Sequence, residues 1–153
     1  MKLVKSIVRS DGFTLFKRWR IVDLKWFTID IHEFFLPEDS DGLKFDQDHF
    51  LHNHPRKFLS FIIKGGYNED YKKDIGGETK TRKFKFGSFN WVNLKCFHRI
   101  KTLHSRHVKT LIITSTDMEE WGILDDSNSE NPKVITNDYY RENKYRWIEN
   151  KTG

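Results

Sequence analysis

The sequence predicts an all-β domain, a sandwich or barrel built from short strands with at most one or two short helices. Polar and apolar residues alternate with a period of two along several stretches, which is typical of half-buried strands. Turn-forming residues separate these stretches at short intervals, which favours about seven to nine strands in a sandwich or barrel over βαβ units. The length of 153 residues fits a single domain spanning residues 1–153.

The N-terminal part contains one well-defined strand. Residues 1–26, which include "TLFKRWRI", are expected to form N-terminal strands or an arm. In "FTIDIHEFF", Phe27–Phe35, odd-numbered residues from Phe27 to Glu33 share one face and Thr28, Asp30, His32 and Phe34 share the other. Pro37 and the following "EDSDG" then predict a loop.

Several further strands are predicted after residue 56. "KFLSFIIKGG" is apolar on both faces, as expected inside a sandwich, and ends at Gly65-Gly66. "TKTRKFKFGSFNW" alternates basic residues with Phe, which predicts one wet face, one buried face and a break at Gly87. "CFHRIKTL" and "VKTLIITST" are strands joined by a turn at Arg106-His107, and "WGIL" is a short closing strand. Residues 136–153 are rich in aromatic side chains and are predicted to form a C-terminal arm or short helix.

Composition excludes several classes of protein. Hydrophobic residues make up only 37%, but 13 Phe, 5 Trp and 5 Tyr provide enough apolar area for one core. The single Cys96 excludes an internal disulfide and a multi-cysteine zinc or iron–sulfur site. Because we find neither a signal-peptide pattern nor an apolar run of about 18 residues, we expect a cytoplasmic protein without a membrane partner. The net charge of +5 suits an anionic small molecule or weak nucleic-acid contact, or simply a soluble surface.

Two closely spaced histidines raise the question of a metal site. His52 and His54 in "LHNHP" are two residues apart, so on a strand their imidazoles share one face and can chelate one ion. A third ligand has to come from elsewhere; His98 in "CFHRI" is the first candidate, and His32 is the alternative. Three neutral imidazoles suit Fe(II), Mn(II), Ni(II) or Zn(II). The competing interpretation is that His52 and His54 only form hydrogen bonds at the mouth of the barrel.

The histidine spacing carries a family resemblance. The motif His-x-His, three residues, Glu, six residues, Gly is met by His52, His54 and Gly65, with Phe58 at the Glu position. A second motif, in which a His follows a Gly after ten residues, is met by Gly87 and His98. On these residues the chain resembles the cupin superfamily. The Pro, Gly and Asn expected in the second motif are replaced, at Asn93, Lys95 and Thr102.

The resemblance implies more than the spacing does. It implies a jelly-roll barrel with His52, His54 and His98 as metal ligands, and more narrowly the chain resembles uncharacterised small cupin-like proteins of bacteria and phages. Without the Glu, the ligand set resembles that of thiol-oxygenase cupins. This implies an oxidoreductase of dioxygenase type with Fe²⁺, or Mn²⁺, Ni²⁺ or Zn²⁺. A homodimer is also implied, and host cytoplasm as the location if the gene is phage-encoded.

Other residues are candidates for the pocket. Tyr67 and Glu69 are candidate catalytic residues; Glu69 can act as an acid or base if burial raises its pKa, and is otherwise expected at the surface. Arginines can clamp a phosphate or carboxylate. Cys96 has the same parity as His98, so it lies either near the site or in ordinary packing. Trp91 and Trp121 are expected in the core. The arginine candidates are Arg56, Arg82 and Arg99.

Three classes of function follow from these features. The first is a small-molecule metalloenzyme of oxygenase type. The second is a binding or sequestering protein for an anionic ligand, a sugar or a nucleotide, without catalysis. The third is a nucleic-acid-binding module using "KTRKFKFGSF", which is disfavoured because Lys and Phe alternate onto opposite faces of that strand.

Overall fold

The chain folds into antiparallel β-sheets. The computed structural model describes residues 1–8, 11–38, 50–116, 118, 120–125 and 132–136. Within these ranges there are eleven strands and no helix, which confirms the all-β prediction. The strands are β1 (Lys2–Val8), β2 (Thr14–Asp23), β3 (Phe27–Phe35), β4 (Phe58–Lys64), β5 (Gly66–Lys72), β6 (Lys80–Lys85), β7 (Phe89–Val92), β8 (Phe97–Leu103), β9 (His107–Ser115), β10 (Gly122–Asp125) and β11 (Lys133–Thr136).

Two sheets face each other around the core. The larger has six strands in the order β1-β2-β3-β9-β4-β7, and the smaller has three in the order β6-β5-β8. β10 and β11 form a two-stranded sheet. His52 joins the three-stranded sheet to the two-stranded sheet, because its backbone bridges His98 in β8 on one side and Ile123 in β10 on the other. The strand pairs are antiparallel, and β9 pairs with both β3 and β4 while β8 pairs with β5, so strands far apart in sequence become neighbours, as in a jelly roll.

The predicted strand β3 has the bounds read from the sequence, and its polar face points inward. Thr28, Asp30 and Phe34 are buried, whereas Phe27 and Ile29 on the other face are partly exposed. Asp30 is stabilised by Arg18, whose Nε and Nη2 donate at 2.8 and 2.5 Å, and by Arg20 Nε at 2.5 Å. A polar wall therefore lines part of the interior.

The apolar core fills the other part of the interior. It draws side chains from both sheets, which packs the sheets face to face. Its buried members are Phe34, Leu36, Ile62, Tyr67, Phe84, Leu103 and Val108. The interior thus has an apolar half and a polar half, and the polar half holds the histidines described below.

The stretch "TKTRKFKFGSFNW" breaks at Gly87, as predicted, but its buried face is wrong in part. Gly87 has a φ of +82°, which glycine adopts without strain, and it separates β6 from β7. Phe84 is buried, whereas Phe86, Phe89 and Trp91 are 72%, 63% and 55% exposed. The reason is that β7 joins the other sheet, where Asn90 and Val92 occupy the inward positions.

Some predictions fall outside the part of the chain that is described. Residues 137–153 of the predicted C-terminal arm or short helix lie outside it. None of the described residues forms a helix long and apolar enough to cross a membrane.

Candidate metal centre

Two separate segments bring three histidines to one point: His52 and His54 lie on one, and His98 lies on the other. His98 is the second residue of β8, and the backbone N–H groups of His52 and His98 each donate to the other's carbonyl, at 3.1 and 2.9 Å. His54 precedes Pro55, which restricts His54 to an extended conformation. The segment around His52 is a single bridge residue and not the strand that was predicted, but the extended backbone still turns both imidazoles the same way.

The imidazoles of His52, His54 and His98 form a compact cluster. One ligand atom from each lies within 4.8 Å of the others. The ring centroids are 5.0 Å apart for His52 and His54, 5.2 Å for His52 and His98, and 4.8 Å for His54 and His98. The Nε2 atoms of His54 and His98 are 2.7 Å apart, which is a hydrogen bond. The structure therefore brings together the three residues that the sequence singled out.

A buried carboxylate fixes the third histidine. Glu69, whose side chain is fully buried, accepts a short hydrogen bond from Nδ1 of His98. It also accepts from Arg82 Nε at 2.6 Å and from Asn90 Nδ2 at 3.1 Å. Since Nδ1 of His98 is taken by this bond, its Nε2 points at the cluster. His52 is oriented similarly, because its Nδ1 lies 3.1 Å from the carbonyl oxygen of Phe50.

Comparisons with known proteins bear on the fold. No protein-family model matches the sequence, and no curated protein matches it. Solved structures do match. A cupin-2 domain from Rhodospirillum rubrum superposes with a TM-score of 0.54 over 94% of this chain and 80% of that one, at 10% identity.

The chain has the cupin fold.

Two further cupin-fold neighbours are longer proteins. The DMSP lyase DddQ from Ruegeria pomeroyi DSS-3 gives a TM-score of 0.53 and 15% identity over 85% of this chain. Fe(II) HppE gives a TM-score of 0.54 and 13% identity over 72% of this chain. The chain spans only 56% and 54% of those two proteins, respectively. At such low identity the likeness establishes the fold, and the chemistry depends on this chain's own residues.

The electrostatics keep the cluster in a ligating state. Burial, together with the neighbouring His98 and His52, lowers the pKa of His54 well below its ordinary value, so His54 is neutral at pH 7. Burial raises the pKa of Glu69, but hydrogen bonds from His98 and Arg82 outweigh it, and the pKa is lowered overall. Glu69 is therefore an anion at neutral pH. Neutral imidazoles and one anion behind them are what a divalent cation requires.

Glu69 and Tyr67 occupy interior positions. The expectation that Glu69 lies at the surface is wrong: β5 places Glu69 opposite Arg82 on one side and Ile100 on the other, on the inward face. Tyr67 is also buried, and its hydroxyl oxygen accepts from Asn90 Nδ2 at 3.2 Å. Burial and the nearby Glu69 raise the pKa of Tyr67 well above its ordinary value, so the hydroxyl keeps its proton.

Phe58 and His32 line the interior without belonging to the cluster. The ring of Phe58, at the motif position of the missing carboxylate, lies 4.9 Å from that of His54 and 6.1 Å from that of His98. His32, the alternative third ligand, instead packs edge-on against Phe16 at 5.1 Å. Its Nε2 is buried and has no hydrogen-bond partner among the described residues.

The remaining candidates have mixed outcomes. Arg99 faces away from the cluster and pairs with Asp70 at 3.1 Å, as its parity predicts. Cys96 is half-buried just before β8, and burial raises the pKa of its thiol. The expectation that Trp91 lies in the core is wrong, because it points outward from edge strand β7. Sequence reasoning gave too little weight to Glu69 and Arg82, whose role depends on a strand register that no local pattern reveals.

Proposed function

We propose that this cupin binds one divalent metal ion through His52, His54 and His98 and acts as an oxygenase-type metalloenzyme on a small molecule. The observation that supports the proposal is the convergence of three imidazoles, one of which is hydrogen-bonded to a buried carboxylate. Histidines that ligate metals commonly donate their second N–H to a carboxylate, which fixes the ring and raises its basicity.

The donor set fits Fe²⁺ first, and Mn²⁺, Ni²⁺ or Zn²⁺ as alternatives. Imidazole binds a metal in its neutral form, so three histidines would leave a bound ion its full positive charge, with positions open for water or a small molecule. When bound, such an ion supplies redox or Lewis-acid chemistry, and the protein supplies shape and orientation.

The hydrogen bond between His54 and His98 defines what these residues do on metal uptake. In neutral His98 the proton is on Nδ1, where it bonds Glu69, so Nε2 is an acceptor and His54 Nε2–H is the donor. Ligation through Nε2 requires His54 to move its proton to Nδ1. This change of tautomer costs no net proton. Phe58 meanwhile presents an apolar wall beside His54, which excludes water from that side.

A binding protein without catalysis is the second candidate, and Phe58 favours it. The residue stands where the motif has a carboxylate, and the His54–His98 hydrogen bond satisfies both nitrogens without a metal. In that case the barrel holds a small anionic ligand, a sugar or a nucleotide, and the histidines are hydrogen-bonding groups of the pocket.

Metal analysis separates the two candidates. Protein purified without a His-tag is stripped with chelator, reloaded anaerobically with Fe²⁺ and measured by mass spectrometry. We expect about one ion per chain for the native protein and none for His54→Ala. His104→Ala is the matched control, since His104 is partly exposed and bonds Asn68 rather than the cluster.

Nitric oxide binding tests the oxygenase type. Because nitric oxide requires an open position on iron, the iron-loaded protein should give an electron paramagnetic resonance signal on exposure to the gas. Uptake of metal without this signal would contradict the oxygenase proposal while leaving metal binding intact. Failure of the native protein to retain any divalent ion would leave the binding protein as the function.

A further inference from the structure

A cavity lined by basic side chains lies next to the histidine cluster. It has a volume of about 590 Å³, within the range of small-molecule sites. Among the described residues, its lining has basic and aromatic side chains and no Asp or Glu. The lining residues that matter for the argument are Lys57, Lys73, Lys95, Arg82, Tyr71 and Trp91.

The lysines of this cavity have no acidic partner among the residues that the structure describes. Lys57, Lys73 and Lys95 form no ion pair with any residue that the structure describes, although most of the interior charges of this domain are paired. Arg82 uses Nε to bond Glu69, but its Nη2 is buried and finds no hydrogen-bond partner among the described residues. The Arg82 side chain as a whole is 30% exposed and lines the cavity, so its charge is available to an anion there.

Two aromatic rings give the cavity a planar, apolar component. Arg82 lies over the ring of Tyr71 at 4.2 Å, which holds that ring in place. The indole of Trp91 is 55% exposed, and its Nε1 donates to Asn93 Oδ1 at 2.9 Å, which fixes the ring while leaving its face accessible. An exposed indole face stacks well on planar ligands.

We propose that this cavity binds a phosphate monoester attached to a planar ring. A phosphate monoester carries close to two negative charges and three acceptor oxygens, matching the guanidinium of Arg82 and the lysines that no described residue pairs. The planar ring lies against Trp91.

The cavity is coupled to the histidine cluster through Arg82. This side chain donates to Glu69, which accepts from His98, and Tyr71 pairs with His98 in the β5–β8 ladder. A ligand on Arg82 therefore lies one side chain away from the carboxylate that orients His98. The idea that the bound ester is the substrate of the metal centre rests on the proposed function. The binding of the ester in the cavity does not depend on that function.

The experiment is a calorimetric titration of metal-free, chelator-treated protein with AMP, adenosine and inorganic phosphate. We expect AMP to bind at one site, at least 10-fold more tightly than adenosine or phosphate alone, and to quench tryptophan fluorescence. Equal affinity for AMP and adenosine would overturn the inference. Because no metal is present, this result is independent of the metal analysis, so the two proposals can fail separately.

Variants locate the binding. Lys57→Gln and Lys95→Gln remove cavity charges that no described residue pairs, so the fold should be unaffected and AMP affinity should fall about 10-fold each. Lys83→Gln is the control, since Lys83 makes the same charge change on β6 but is exposed outside the cavity. An equal loss in Lys83→Gln would show unspecific attraction to a basic surface and overturn the assignment of the site. Trp91→Leu should abolish most of the fluorescence change, and full retention of quenching would contradict stacking on Trp91.

Discussion

Replacing Glu69 by Gln tests whether this carboxylate serves the histidine cluster. The side chain keeps its size but loses its charge and one acceptor oxygen. Of the donors that converge on Glu69, His98 and Asn90 share Oε1, and Arg82 bonds Oε2. The amide oxygen is expected to face His98 and Asn90, where it meets two donors, which leaves the amide NH₂ opposite the N–H of Arg82.

The magnitudes follow from these contacts. One charge-assisted hydrogen bond is lost, so the free energy of unfolding of the metal-free protein should fall by about 1.5–3 kcal/mol. His98 loses the anion behind it, and second partners of metal-bound histidines contribute about 10- to 100-fold in affinity. Glu69→Gln should therefore bind Fe²⁺ or Zn²⁺ about 10- to 100-fold more weakly, measured by competition with a chromogenic chelator.

The matched control is Asp70→Asn, the same chemical change at the next residue of the same strand. Asp70 is buried on the other side of β5 and bonds Thr81, Arg99 and Lys101 rather than the cluster. The Asp70→Asn variant should lower the free energy of unfolding measured in urea without changing the affinity for metal. If Glu69→Gln binds metal as tightly as the native protein, or if Asp70→Asn weakens binding equally, the assignment of Glu69 as the positioning residue of His98 is refuted.

Three further predictions concern the metal, pH and assembly. Saturating Zn²⁺ at about 1,000 times its dissociation constant should raise the free energy of unfolding of the native protein by about 4 kcal/mol, and urea titration should show no such gain for His54→Ala. Burial, followed by Arg18, lowers the pKa of His32 from 6.5 to about 3, so between these pH values the unfolded chain binds a proton that the folded chain does not. The stability contributed by His32 is therefore complete above pH 6.5 and falls by about 1.4 kcal/mol per pH unit as the pH drops toward 3. In urea titrations, the free energy of unfolding lost between pH 6.5 and 4.5 should be smaller by about 2–3 kcal/mol in His32→Gln than in the native protein. Strand β1 is an exposed edge strand with accessible apolar side chains. We therefore expect light scattering to show a homodimer formed through β1, and the Ile7→Lys variant to dissociate toward the 18.4 kDa monomer. A native protein that is monomeric at high concentration would contradict this prediction.

Much of the fold was predictable because strand formation is a local property. Alternation along "FTIDIHEFF" gave the bounds of β3, and Gly87, with its positive φ, marks the break between β6 and β7. The same alternation does not say which face is inside. In β3 the face with Thr28, Asp30 and His32 points inward, since Arg18 and Arg20 from β2 pair with Asp30 there.

The all-β class, the positions of most strands along the chain and the three histidines at cupin-like spacing follow from the amino-acid sequence alone. The contact of Glu69 with His98, the contact of Arg82 with Glu69 and the outward position of Trp91 beside a basic cavity depend on the tertiary fold. The reason is that these contacts join residues that are far apart in the sequence. The period of a strand is fixed by its own backbone, whereas Glu69 meets His98 through a β5–β8 register spanning 29 residues of sequence, which depends on how the whole barrel closes.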